Sequence, residues 1–176
     1  MSHYVAPTAI VCGLILLGSL QAADPVQGEQ AALNYEYGGV YIGMPLEEFK
    51  RLPRERISIV SVNQELDLKT YSYAEPNGFP LAVEFYKSTA YRMIMIMKDQ
   101  QLSRVGGESI IEQKLIDTFG DPHAGQNDKG YVWKYPNIHR MVGFVKQPSQ
   151  IAIIISDTTA EAQINQDKAN RLDLGF

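Results

Sequence analysis

The sequence predicts a single α+β domain: an antiparallel sheet of about seven strands with helices packed on one face. Three observations lead to this fold class. Several short segments alternate apolar and polar residues between turn-forming residues, as strands with one buried face do. One segment repeats apolar residues at helical spacing and ends at a glycine. The chain has 176 residues, which is enough for one domain with a sizeable core.

Residues 1–22 are predicted to be a signal peptide. Residues 9–20 are almost wholly apolar, and Leu20-Gln-Ala22 supplies small residues for cleavage. A run of about 12 residues is too short to cross a bilayer as a helix. The segment contains no Lys or Arg, which departs from the usual signal. We expect cleavage after Ala22 or Ala23 and a periplasmic or secreted protein.

Charge and cysteine content narrow the classes of function. The only cysteine, Cys12, lies inside the predicted leader, near the start of the apolar run rather than at its end. This position disfavours lipidation, and a mature chain without cysteine has no disulfide and no thiol nucleophile. The net charge of −4 argues against nucleic acid as a partner. We expect no membrane span in the mature chain.

The first half of the domain, 40–98, follows a predicted flexible lead-in at 23–39 that has no periodic apolar face. Pro45 fits the first position of a short helix, with Leu46 and Phe49 on one face. Four strands are predicted at 56–62, 68–74, 80–87 and 91–97. The fourth is apolar on both sides, so it should be central in the sheet or covered on both sides.

The second half, 99–156, contains the best-determined helix. The spacing of Ser109 and Glu112 predicts a capping box, and Gly120 ends the helix. Strands are predicted at 131–135, 139–146 and 150–156. A second capping box at Thr158 and Glu161 predicts a C-terminal helix over 158–172.

The two halves resemble each other. Tyr73, Phe85 and Ile96 in the first half match Tyr135, Phe144 and Ile154 in the second, which suggests two α-βββ pseudo-repeats. The other explanation is that any antiparallel meander distributes aromatic and aliphatic residues in this way.

Two segments resemble a known family. Residues 41–49, YIGMPLEEF, and residues 115–123, LIDTFGDPH, followed by the strand at 131–135, are similar to the helix starts, turns and strands of BamE/SmpA and beta-lactamase-inhibitor-protein repeats. The resemblance implies helices on one face of an antiparallel sheet, in an exported protein that binds other proteins and performs no chemistry. Pro45 stands where that family usually has Ser or Thr.

Three groups of side chains are candidate sites. Tyrosine is frequent in binding hot spots, and four tyrosines on the aromatic strands are the candidate protein-binding residues: Tyr71, Tyr73, Tyr131 and Tyr135. The alternative is that they fill the core. Met93, Met95 and Met97 project to one side of a strand and are a candidate Cu(I) site, or core fillers. Asp121, His123 and His139 are candidates for a metal site or a hydrolase, or are turn and edge residues.

The sequence therefore favours an exported, non-enzymatic protein-binding module, acting as an envelope scaffold or assembly factor or as an inhibitor or immunity protein. We expect no cofactor, and the partner is expected to be another protein. The alternatives are a periplasmic methionine-based Cu(I) binder and a hydrolase that uses Asp121, His123 and His139.

Overall fold

The computed structural model describes residues 25–75, 78–127 and 129–173, so the predicted signal peptide lies outside the described residues. The chain forms an α+β domain built on an antiparallel sheet, as predicted. The helices are α1 (Pro25–Leu33), α2 (Leu46–Phe49), α3 (Asp99–Arg104), α4 (Glu108–Phe119) and α5 (Thr158–Asp173). The strands are β1 (Glu36–Tyr37), β2 (Val40–Tyr41), β3 (Ile57–Asn63), β4 (Leu68–Ala74), β5 (Pro80–Tyr86), β6 (Thr89–Lys98), β7 (Ala124–Asn127), β8 (Gly130–Tyr135), β9 (Arg140–Gln147) and β10 (Gln150–Asp157).

The main sheet has eight strands in the order β3-β4-β5-β6-β10-β9-β8-β7, and β1 and β2 form a separate hairpin. All seven predicted strands are present, because alternation and turn residues mark their ends well. The eighth, β7, has no alternating apolar pattern in its sequence AGQN. The prediction that the strand at 91–97 is central is confirmed, since β6 pairs with both β5 and β10.

The main core lies on one face of this sheet, which we call the helix face. Phe49 of α2 packs on Tyr71 and Phe85, with ring centroids 5.5 and 5.2 Å apart. In the other half, Phe119 at the end of α4 packs on Trp133 at 6.0 Å. Each half of the sheet is therefore covered by a helix that ends in a buried phenylalanine.

The predicted flexible lead-in at 23–39 is wrong for its described residues. Pro25–Leu33 forms α1, which packs against α4, and Ala32 is only 1% exposed. Small residues make this packing possible: a Cβ atom at Gly28 would clash with the backbone oxygen of Phe119. Sequence periodicity misses such a helix because its contact surface consists of Gly and Ala rather than large apolar residues.

Both predicted capping boxes are wrong, although both helices form. Gly107, rather than Ser109, precedes α4, and no side chain caps that end. At α5 the cap is Asp157, whose Oδ1 accepts from the amides of Thr159 and Ala160 at 2.9 and 3.0 Å. The two glutamates of the boxes bond to basic side chains of the sheet instead: Glu112 to Lys146 and Glu161 to Arg92.

The C-terminal helix α5 packs on the opposite face of the sheet. Ile164 is buried against Tyr86 and Tyr91 in a second, smaller cluster. Phe85 and Ala90, the neighbours of these two tyrosines in the chain, belong to the main core. The two faces of the sheet are therefore covered by different helices.

The strand order is palindromic: each half enters in chain order from its own edge of the sheet, and the four strands of each half lie on either side of the boundary between β6 and β10. A continuous row across the sheet joins Tyr71, Val83, Met93, Ile155, Val142 and Trp133. A two-fold axis at the centre of this row relates Tyr73 to Tyr135 and Phe85 to Phe144, two of the three predicted matches. The same axis relates Ile154 to Arg92 and not to Ile96. Duplication of one unit stays a prediction.

Candidate functional site: the open face of the sheet

Three of the four candidate binding tyrosines are core residues. Tyr71, Tyr73 and Tyr135 are 6, 1 and 5% exposed. The hydroxyl of Tyr73 donates to the Gly38 oxygen, and that of Tyr135 donates to the Phe119 oxygen at 2.7 Å. Because these side chains point into the helix face, they offer no surface to a partner in this structure. Only Tyr131 is partly exposed, and it stacks on Phe144.

The candidate Cu(I) ligands do lie on one side of β6, as predicted. Met93, Met95 and Met97 are 2, 5 and 2% exposed and belong to the main core. Their neighbours across the strands, such as Leu81 and Ile153, are aliphatic. This environment suits methionine as a flexible filler of the core.

The candidate hydrolase or metal residues are dispersed. Asp121 and His123 are exposed, and the Nδ1 of His123 accepts from the amide of Lys134 at 2.8 Å. His139 is the left-handed residue that ends a short 3₁₀ turn before β9. Within the described ranges, no three His, Cys, Asp or Glu side chains are grouped so that they could hold a metal ion.

The strongest candidate surface is on the face opposite the main core, beside α5. Alternate residues of five strands present apolar side chains there that are partly exposed and belong to neither hydrophobic cluster. We call this surface the open face; it consists of Ala82, Ile94, Ile96, Val132, Met141, Val145, Ala152 and Ile154.

The strand register joins six of these eight residues into two adjacent rows. Ile94 lies opposite Ala82 on one side and Ile154 on the other. One step along the strands, Ala152 lies between Ile96 and Val145. Cross-strand neighbours have Cβ atoms about 5 Å apart, so these side chains touch and form one apolar surface. Isolated exposed apolar residues are common, whereas a contiguous group of this kind makes the open face the candidate interaction surface.

Two lysines stand at opposite margins of the open face. Lys98 is two positions after Ile96 on β6, and Lys134 is two positions after Val132 on β8, so each lies on the same face as that residue. Both side chains are exposed, and neither forms an ion pair with any residue that the structure describes. The surface therefore has an apolar centre and a margin with two exposed positive charges.

A polar network separates the open face from α5. Arg92 of β6 lies between two carboxylates, 3.0 Å from Glu84 and 2.7 Å from Glu161 of α5. The hydroxyl of Tyr91 donates to the same Glu84 oxygen at 2.6 Å. Burial, and then the hydrogen bond to Glu84, raises the pKa of Tyr91, which favours the protonated hydroxyl that donates this bond. The network holds the first turns of α5 on the sheet.

Sequence reasoning missed the open face although the signal was present. The run from Met93 to Met97 is apolar at every position, and so is the run from Ile151 to Ile155. Such runs predict strands buried on both sides. The structure buries only the odd-numbered residues of these runs. A strand sequence that is apolar on both sides therefore predicts two arrangements equally well. The strand is either buried on both sides, or it belongs to a sheet with one apolar open face.

No family model, no characterised protein and no solved structure shows a significant match to this chain. The resemblance to BamE/SmpA and beta-lactamase-inhibitor-protein repeats therefore stays a prediction. Within the described part of the chain, no helix is both long and apolar enough to cross a membrane.

Proposed function

We propose that the protein is an exported, non-enzymatic module that binds another protein through the open face. The observation that carries this proposal is the contiguous apolar surface centred on Ile94 and Ile154, which lie opposite each other at the middle of the sheet. Burying such a surface stabilises a complex by about 25 cal/mol per Å² of apolar area removed from water. The rigid strands hold these side chains in place, so little conformational entropy is lost on binding.

The charges at the margin indicate the chemistry of the partner. Lys98 and Lys134 are exposed without a partner among the described residues, and mutual attraction with carboxylates would speed association and fix orientation. The expected partner is therefore a protein whose contact surface has an apolar centre and acidic residues at its edge. An envelope scaffold or assembly factor and an inhibitor or immunity protein both fit this description.

The first test uses Ile154→Lys, which places a charge at the centre of the open face. Because Ile154 is already partly exposed, we expect a melting temperature close to that of wild type. A partner captured by the wild-type full chain from envelope extract, then purified, should bind the variant at least about 30-fold more weakly, as for a central hot spot.

The matched control is Ala162→Lys, which adds the same charge at an exposed position of α5. This control should bind like wild type. If Ile154→Lys folds normally and binds the purified partner with unchanged affinity, the open face is not the binding surface and the proposal fails. A Lys98→Glu, Lys134→Glu variant should chiefly slow association, and the difference from wild type should shrink at high salt.

A further inference from the structure

The edge strand β3 is a second exposed apolar feature, separate from the open face. It pairs on one side with β4 and forms one edge of the eight-stranded sheet. Residues 58–63 are all exposed, and Ile59, Val60 and Val62 are 66, 61 and 50% exposed. An edge strand of this length with exposed apolar side chains is a template for pairing with another strand.

The sequence of β3 points to its own copy as that strand. Residues 57–62 read Ile-Ser-Ile-Val-Ser-Val, so the order is β-branched, serine, β-branched from either end. An antiparallel neighbour with the same sequence therefore places every β-branched residue opposite a β-branched residue and every serine opposite a serine. A two-fold arrangement of identical strands requires this self-complementarity.

A β-bulge in β3 lets the residues that would lie opposite each other in this register point to the same face of the sheet. The pairing with β4 shifts between Ile59 and Ser61, so one extra residue lies at the centre of the strand. As a result Ile57 and Val62 both point to the helix face, opposite Tyr73 and Lys69. Without the bulge, residues five positions apart would point to opposite faces.

The bulge also places Ser58 and Ser61 on one face of the sheet, the face opposite the main core. Ser58 lies opposite Ser72 and Ser61 opposite Thr70, both on the side of the open face. In a register that sets Ile57 against Val62 of a second copy, Ser58 meets Ser61 of that copy on this side. Both faces of the two strands therefore match in one register.

Charges at the two ends of β3 favour the same arrangement. Arg54 precedes the strand and Glu65 follows it; both are exposed, Glu65 with 81% of its side chain accessible. In the antiparallel register the end that carries Arg54 meets the end that carries Glu65 of the second copy. The two-fold axis repeats this pair, so two attractions of opposite charge flank the paired strands.

We propose that two copies of the chain associate through antiparallel pairing of their β3 strands, which joins their sheets into one continuous sheet. The contact is one strand wide, so the interface belongs to the small, weak class and the dimer should form only at high concentration. This proposal uses none of the residues of the open face. Dimerisation through β3 can therefore be disproved while the proposed function holds, and the proposed function can be disproved while dimerisation holds.

Sedimentation velocity of the full chain over a wide concentration range tests the pairing. Wild type should shift from monomer to dimer as the concentration rises, and Val60→Lys should weaken the dimer at least about tenfold, because edge lysines block strand pairing. Ala162→Lys should dimerise like wild type. A wild-type protein that stays monomeric up to its solubility limit would overturn the proposal.

The charge pair gives a test of register. Arg54→Glu or Glu65→Arg alone should weaken the dimer, because each sets like charges together. The double variant should restore it, because both pairs are re-formed with exchanged signs. Additive weakening in the double variant would rule out the antiparallel register. Because Glu65 also lies 3.6 Å from Arg171 within the chain, each variant is checked for an unchanged melting temperature.

Cross-linking provides an independent readout. In a Cys12→Ser background, the double variant Ser58→Cys, Ser61→Cys places thiols on facing residues, whose Cα atoms lie about 5 Å apart in an antiparallel pair, within disulfide range. A mild oxidant should then give covalent dimers. Each single variant faces a serine and should not cross-link efficiently. Equal cross-linking by the singles and the double, or none by the double, contradicts the register.

Discussion

The indole Nε1 of Trp133 donates a hydrogen bond to the carbonyl oxygen of Gly120 at 2.7 Å and thereby joins β8 to the end of α4. Trp133 is fully buried, and Phe119 packs on its ring. We predict that Trp133→Ala costs about 3 to 5 kcal/mol of unfolding free energy. Trp133→Phe keeps most of the packing but leaves the Gly120 oxygen without its donor, at a cost of about 1 to 3 kcal/mol.

Urea unfolding followed by circular dichroism measures both Trp133 variants, since Trp133 is the only tryptophan and its fluorescence is lost. Tyr131→Phe is the control, because it removes the hydroxyl of a partly exposed tyrosine, and it should unfold close to wild type. Equal stability of Trp133→Phe and wild type would show that the hydrogen bond to Gly120 adds nothing.

The second prediction concerns alkaline pH. Burial, with a smaller effect of Glu29, raises the pKa of Tyr135 to about 12, while the unfolded chain should titrate near 10. Above pH 10 the unfolded state therefore binds fewer protons than the folded state, and stability falls as pH rises towards 12. The loss attributable to this group is about 1 kcal/mol by pH 11.

Urea midpoints at pH 8, 10 and 11 test this dependence. Tyr135→Phe should be less stable than wild type at pH 8, because the Phe119 oxygen loses its donor. Its stability should nevertheless fall less between pH 10 and 11. An identical fall in both proteins would mean that Tyr135 does not control the alkaline transition.

The third prediction concerns the attachment of α5. Glu161 and Arg92 form a partly buried pair, with side chains 21 and 31% exposed, whereas the Glu47–Lys50 pair is exposed on α2. We expect Glu161→Gln to cost about 1 kcal/mol and to accelerate amide exchange in α5. Glu47→Gln should leave the unfolding free energy close to that of wild type, because solvent screens this exposed pair. The pairing with Arg92 is unimportant for α5 if its amides exchange equally fast in both variants.

The fourth prediction is export. Because residues 9–20 have the composition of a signal peptide, mass spectrometry of the protein from its native envelope should find a chain that begins at Ala23 or Asp24. Pro25 then opens α1 almost at the new N-terminus. An intact Met1 in the cytoplasmic fraction would contradict export.

The sequence predicted the strands well and the caps poorly, for physical reasons. Strand β5 alternates Leu81, Val83 and Phe85 with partly exposed residues, so the pattern is local and readable. A capping box forms only if its glutamate bonds to the backbone of its own helix. Glu112 instead accepts a hydrogen bond from Lys146, which is 34 positions distant in sequence. No local rule contains that information.

The burial of three of the four candidate tyrosines could not be predicted, for a related reason. Tyrosine is common both in interfaces and in cores, and Tyr73 occupies the core with its hydroxyl bonded to Gly38. The sequence shows that the tyrosines alternate with polar residues. It does not show which face of the strand the helices will cover, so it could not reveal that Tyr71, Tyr73 and Tyr135 are buried in the core.

The palindromic strand order has a consequence for folding kinetics. Every other ladder of the main sheet joins strands that are close in sequence, whereas β6 and β10 pair residues roughly 50 to 65 positions apart. Closing that long loop costs more entropy, so we expect the hairpins of each half to form first and the β6–β10 ladder last. In pulse-labelled refolding, amides that bond across this central ladder should gain protection later than those of the β4–β5 and β8–β9 hairpins. Simultaneous protection would show that the two halves fold as one cooperative unit.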